Sequence, residues 1–128
     1  MLIDAHFHVW QRARGDYGWL DANANPALAP ICRDVTVADW QAQAGPLGVT
    51  GGVLVQAAPT GAETQFLLEQ AALNPAVRGV VGWVDWLAAD AAASVEALAR
   101  QPKLKGLRPM LQDIADPDWI PQDAAQAA

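Results

Sequence analysis

The sequence predicts an α/β fold of parallel βα units, and two observations predict it: short aliphatic runs recur along the chain, and segments of helical periodicity stand between them. The runs lie at residues 2–5, 53–56, 80–85 and 104–108. They are largely apolar instead of strictly alternating, as expected of strands covered on both faces. With 128 residues, 52% of them hydrophobic and 17% charged, the chain suits one globular core, and residues 1–128 are read as part of a single domain.

Taken in order, the first run is followed by a segment at 10–30 rich in Gly, Pro, Asn and Asp, which reads as loop. A short helix is expected over 37–44, ended by Gly45-Pro46. After the second run, Thr60-Gly61-Ala62-Glu63 has the capping-box pattern and leads into apolar residues at helical spacing over 64–73, stopped by Asn74-Pro75. After the third run, Asp90 is placed to cap a helix over 91–100, with Leu87, Ala91, Val95 and Leu98 on one face and Gln101-Pro102 as its stop. Beyond Arg108 the chain turns polar, through Asp113 and Asp116-Pro117-Asp118 to Pro121, and ends in an alanine-rich stretch at 124–128. Four such units fit a small doubly wound sheet or half of a (β/α)8 barrel, which takes about 250 residues. Length alone favours the small open sheet.

Composition excludes several partners. A formal net charge of −6 and the lack of clustered Lys and Arg argue against nucleic acid. No stretch approaches 18 uninterrupted apolar residues, so no membrane span is expected. The single cysteine, Cys32, cannot form an internal disulfide, and the opening Met1-Leu2-Ile3-Asp4 is not a basic-then-apolar leader; both point to a cytoplasmic address. Glu63, Glu69 and Glu96 read as solvated helix faces, and nothing in the sequence indicates an oligomeric state.

The chemistry concentrates in Ile3-Asp4-Ala5-His6-Phe7-His8, where the chain's two histidines sit two apart at the end of a strand. Alternation puts His6 and His8 on one side, with Asp4 one step below. Two neutral imidazoles so placed can share a divalent, zinc-like metal; equally, they can be half-buried side chains bonded to backbone. At the carboxyl ends of the other strands stand Gln56, Asp85 and Arg108. Gln56 can meet a sugar hydroxyl or satisfy nearby backbone, and Asp85 can hold a hydroxyl or cap its own loop. Arg108 offers a planar fork of donors for a carbonyl or carboxylate, or pairs with Asp85. Of six tryptophans, Trp10, Trp19, Trp83 and Trp86 fall near these positions, Trp83 as a candidate face for a sugar ring; Trp40 and Trp119 read as packing anchors.

Several segments taken together resemble the sugar-lactonase branch of the amidohydrolase superfamily. They are Ile3-Asp4-Ala5-His6-Phe7-His8-Val9-Trp10, Tyr17-Gly18-Trp19-Leu20, Gly52-Val53-Leu54-Val55-Gln56-Ala57, Gly79-Val80-Val81-Gly82-Trp83-Val84-Asp85 and Lys105-Gly106-Leu107-Arg108-Pro109. The resemblance runs through residues 3–109 in order and replaces the open sheet by the N-terminal half, about four βα units, of a (β/α)8 barrel. It implies a hydrolase that opens a small-molecule substrate, a sugar-acid lactone, with a divalent metal as a possible cofactor at His6 and His8 and with Gln56, Asp85, Arg108 and Trp83 toward substrate. It also implies that a further histidine and a late aspartate belong to a second half not present in this chain, so that catalytic groups are missing and the chain alone is inactive. The alternatives are a metal-dependent decarboxylase of the same superfamily and a non-catalytic binding domain.

Overall fold

The computed structural model describes residues 1–112, 114–116 and 118. Asp113, Pro117, Trp119, Pro121 and the alanine-rich stretch at 124–128 lie outside the described residues. Four strands, β1 (Leu2–Phe7), β2 (Val49–Val55), β3 (Val77–Gly82) and β4 (Leu104–Leu107), alternate with helices α1 (Val37–Ala44), α2 (Gly61–Leu73) and α3 (Ala91–Ala99). All pairings are parallel and the spatial order is β1-β2-β3-β4. A doubly wound sheet reverses its strand order at a switch point, where ligands bind. None exists among the described strands, and sequential order with a helix at each crossover is the arrangement of consecutive barrel units.

The helices pack on one face. Val37 from α1, Leu67, Leu68 and Ala71 from α2, and Phe7, Leu54, Val77 and Val80 from the strands form one buried cluster, with Trp40 and Leu98 packed against it. Each fully buried Leu or Val there contributes roughly 1.5–3 kcal/mol. Gly52 is required by this packing: a Cβ would stand 2.7 Å from the Trp40 ring and 2.8 Å from that of Phe7, which stack with centroids 4.1 Å apart. At the edge strand β1, Leu2 stays 53% and Ile3 37% exposed.

Local chemistry departs from expectation in four places. The segment at 10–30 is not all loop: 3-10 helices form at Arg12–Arg14 and, with part of its length beyond that segment, at Pro26–Ile31. Asn25 caps the second by accepting from Ala27 N, and Pro26 supplies a preset φ at its start. At Thr60 only half of the expected capping box forms, because Thr60 Oγ1 accepts from Glu63 N while the Glu63 carboxylate points elsewhere. The reciprocal box is at Thr36 and Asp39, at the start of α1. Asp90 flanks α3 without a side-chain cap, and Leu87, 69% exposed, does not join the α3 face.

Candidate active site

The histidines converge at the end of β1. His6 Nε2 and His8 Nε2 stand 2.9 Å apart, with the rings edge-on. His8 Nδ1 lies 2.9 Å from the Val55 carbonyl oxygen, which only accepts, so Nδ1 carries the proton and Nε2 presents a lone pair. That second bond is the usual way a protein orients a metal-binding imidazole. Burial lowers the His8 pKa, the bond to Val55 opposes that, and the nearby His6 and Arg108 charges lower it further, which favours the neutral ligand form. Zinc–nitrogen bonds run about 2.0–2.1 Å, so two nitrogens at this spacing can both reach one ion. The donor set fits a divalent metal, although no group of three or more His, Cys, Asp or Glu side chains gathers among the described residues.

Asp4 does not sit beneath this pair. Its carboxylate accepts from Trp40 Nε1 at 2.9 Å and from His6 N at 3.0 Å, so it is tied to α1. The physical reason is a break in register between Asp4 and Phe7, which interrupts the alternation that the sequence argument relied on.

Arg108 turns toward β2, not toward Asp85. Its Nη2 donates to the Gln56 carbonyl oxygen at 3.0 Å and to Gln56 Oε1 at 3.2 Å. Gln56 is fully buried just past β2, where its carbonyl oxygen and side-chain oxygen both accept from the guanidinium. Gln56 Nε2 and Arg108 Nε are buried with no partner among the described residues. Asp85 lies three residues past the end of β3 and not on the strand; it is exposed and accepts from Leu87 N, the local cap.

Two adjoining clefts open beside these groups. One of about 300 Å³ is lined by His8, Arg108, Trp10, Trp19 and Met110, among others. The second, about 600 Å³, carries Trp83, Trp86, Asp85 and Asp16, and it shares Trp19 and Met110 with the first. Trp10 and Trp19 meet edge to face at 5.5 Å, anchored by Trp10 Nε1 donating to Arg33 O and Trp19 Nε1 donating to Ala57 O, both at 2.7 Å. His8, Arg108 and Trp83 thus share one cleft system, with His6 against His8, while Gln56 stands behind it.

The amidohydrolase family profile matches residues 3–125. The chain belongs to the amidohydrolase family. It is 43% identical over 126 residues to an L-fucono-1,5-lactonase of Burkholderia ambifaria, covering 98% of this chain and 42% of that protein. A second L-fucono-1,5-lactonase, from Burkholderia multivorans, is 38% identical, covering 97% of this chain and 40% of that protein. A crystal structure of an amidohydrolase from Burkholderia multivorans with bound zinc superposes with a TM-score of 0.83 at 32% identity, over 98% of this chain and 43% of that one. The chain therefore spans about two-fifths of the length of the relatives it matches.

The likeness confirms the α/β architecture of a partial (β/α)8 amidohydrolase barrel and corrects the open sheet that length alone favoured. No helix among the described residues is long and apolar enough to cross a membrane. Sequence reasoning missed one polar group of this amidohydrolase altogether. Glu63, assigned to solvated surface, is 0% exposed and accepts from Tyr17 Oη at 2.7 Å and Ala57 N at 3.1 Å. The available signal was the Tyr17-Gly18-Trp19 segment, whose aromatic hydroxyl needs a partner once buried.

Proposed function

We propose that the complete protein containing this chain hydrolyses a small cyclic ester, a sugar-acid lactone, at the cleft between β1, β2 and β4. The observation that carries this reading is the pinning of Arg108 by Gln56, which aims a fixed cation at the same 300 Å³ cleft that His8 lines. The two L-fucono-1,5-lactonases support a six-carbon lactone as the substrate class.

Opening a lactone places negative charge on the carbonyl oxygen as water adds, and a preorganised donor near that oxygen lowers the barrier. Arg108 supplies a permanent charge in planar geometry, held by bonds to Gln56 so that little reorganisation accompanies the reaction. Trp10 and Trp19 offer apolar ring faces to the C–H side of a sugar ring and exclude bulk water. In the larger cleft Trp83 would offer a further ring face and Asp85 an acceptor for a ring hydroxyl. His6 and His8 would hold zinc, as the Burkholderia multivorans structure suggests; a bound zinc ion supplies Lewis-acid polarisation of an oxygen. Groups completing that site belong to the remainder of the protein, so the isolated chain is expected to be inactive.

The test is acid release from a six-carbon sugar 1,5-lactone, above the spontaneous rate, by the protein at its natural length. Arg108→Lys should lower kcat/KM more than tenfold, at least about 1.4 kcal/mol, with little change in Tm. Unchanged kinetics with a lowered Tm would make Arg108 structural and remove it from the site.

A further inference from the structure

The Glu63 carboxylate joins three parts of the cleft wall. At the first turn of α2 it accepts from Tyr17 Oη at 2.7 Å and from Ala57 N at 3.1 Å, while Arg14 Nη2 approaches to 3.6 Å. Ala57 in turn accepts, through its carbonyl oxygen, the Trp19 Nε1 hydrogen at 2.7 Å. The Trp19 indole is thus held from both ends: its own chain is anchored two residues earlier at Tyr17, and its ring nitrogen is anchored at Ala57. Both anchors meet at Glu63. Trp19 is also a wall shared by the two clefts, so a small shift of its ring changes both volumes. Arg14 extends the device to a further lining residue, because it bonds Asp16 at 2.6 Å while its guanidinium lies over the Phe66 ring at 4.4 Å.

A buried carboxylate is costly, and replacing such a group by well-packed apolar atoms is often neutral for stability. Its location, bridging the loop after β1 and the loop after β2 directly behind a cleft wall, gives it a use that packing alone does not require. We propose that Glu63 is a positioning residue for the substrate cleft: by bonding Tyr17 and Ala57 together it fixes the indole of Trp19 and thereby sets how tightly the cleft grips a ring. This rests on the reading that the cleft binds the lactone, and it deepens that reading by naming the group that sets the grip.

The experiment uses the protein at its natural length, labelled with 5-fluorotryptophan, with the Trp19 resonance assigned by Trp19→Phe. Glu63→Gln and Tyr17→Phe are compared with the unchanged protein by the solvent-isotope shift of the Trp19 resonance and by steady-state kinetics on a six-carbon 1,5-lactone. Glu63→Gln keeps the side-chain shape, and Tyr17→Phe removes only one hydroxyl, so one tests the claim if the other fails to fold. The expected result is a larger isotope shift at Trp19 and a KM raised about tenfold with kcat within about twofold, the signature of lost uniform binding. A Trp19 resonance that stays unchanged overturns the proposal, as does a lowered Tm with unchanged KM, which a purely structural bond would give. If the unchanged protein turns over no lactone, the substrate reading fails separately, and the positioning claim is decided by the Trp19 resonance alone.

Discussion

Two polar groups of this chain are built in opposite ways. The His6 and His8 pair stands at the end of an edge strand, with His6 exposed, one imidazole oriented by the Val55 carbonyl and the facing nitrogens bonded only to each other. The Glu63 group is closed: a fully buried carboxylate receives a hydroxyl and a backbone N–H, with a guanidinium nearby. The first arrangement ties its facing nitrogens only to each other, a bond that a metal ion can replace, and the second uses its acceptors on the rest of the chain. On the proposed reading the difference separates a site that binds from a joint that holds, and it predicts that the two respond differently to the same kind of substitution.

The largest effect is expected at the closed group. Glu63→Ala leaves Tyr17 Oη and Ala57 N buried without an acceptor, and each such loss costs about 1–3 kcal/mol. Destabilisation of about 3 kcal/mol is expected in urea unfolding of the 128-residue chain, consistent with breaking a buried charged network from one side. A change below about 0.5 kcal/mol would place Glu63 among ordinary surface residues and dissolve the contrast.

The same difference explains what the sequence made legible. The strands, the three helices and the histidine pair are local patterns: residues two apart on a strand, or three and four apart on a helix, reveal their shared face without knowledge of the fold. The Glu63 group is not local, since Tyr17 lies 46 residues away, and a Thr-x-x-Glu pattern pointed to a capping box that the tertiary structure redirected. Gln56 behind Arg108 was hidden for the same reason, because the two lie 52 residues apart and meet only when β2 and β4 have taken their places. Asp4 was misjudged through the irregular register of β1, and periodicity cannot reveal such a break. The barrel was legible in the ordered segments that resemble amidohydrolases, against what length alone favoured, and the match to a solved amidohydrolase bears it out.

A smaller effect is expected at Tyr17, and it has a pH signature. Burial first, and then donation to the Glu63 carboxylate, push the Tyr17 pKa well above the ordinary value of about 10. The folded state thus favours the neutral hydroxyl, and this contribution is fully present below pH about 10 and is lost as the pH rises through the higher folded value. Tyr17→Phe should cost about 1 kcal/mol at neutral pH, with the gap narrowing in alkali. Tyr17 is the only tyrosine of the 128 residues, so tyrosinate absorbance reads it directly. No ionisation should appear until the chain unfolds; a normal titration midpoint near 10 in folded protein would show that the hydroxyl is not held.

The smallest effect on stability belongs to His6. Its ring is exposed and its ring nitrogen bonds only His8 Nε2, so His6→Ala removes no buried contact and leaves His8 still bonded to Val55. Unfolding free energy of the chain should change by less than about 0.5 kcal/mol in the absence of metal, as for other exposed sites. Zinc should then separate the two proteins. A ligand that binds only the folded state stabilises it in proportion to the logarithm of its concentration over Kd, so added zinc should raise the Tm of the unchanged chain and leave that of His6→Ala where it was. The rise should be modest and the metal should be lost on dialysis, because two imidazoles fall short of the three protein ligands usual in catalytic zinc sites. Tight, stoichiometric zinc surviving dialysis would mean that the chain closes the site with groups of its own, and the contrast between an open pair and a closed joint would no longer hold.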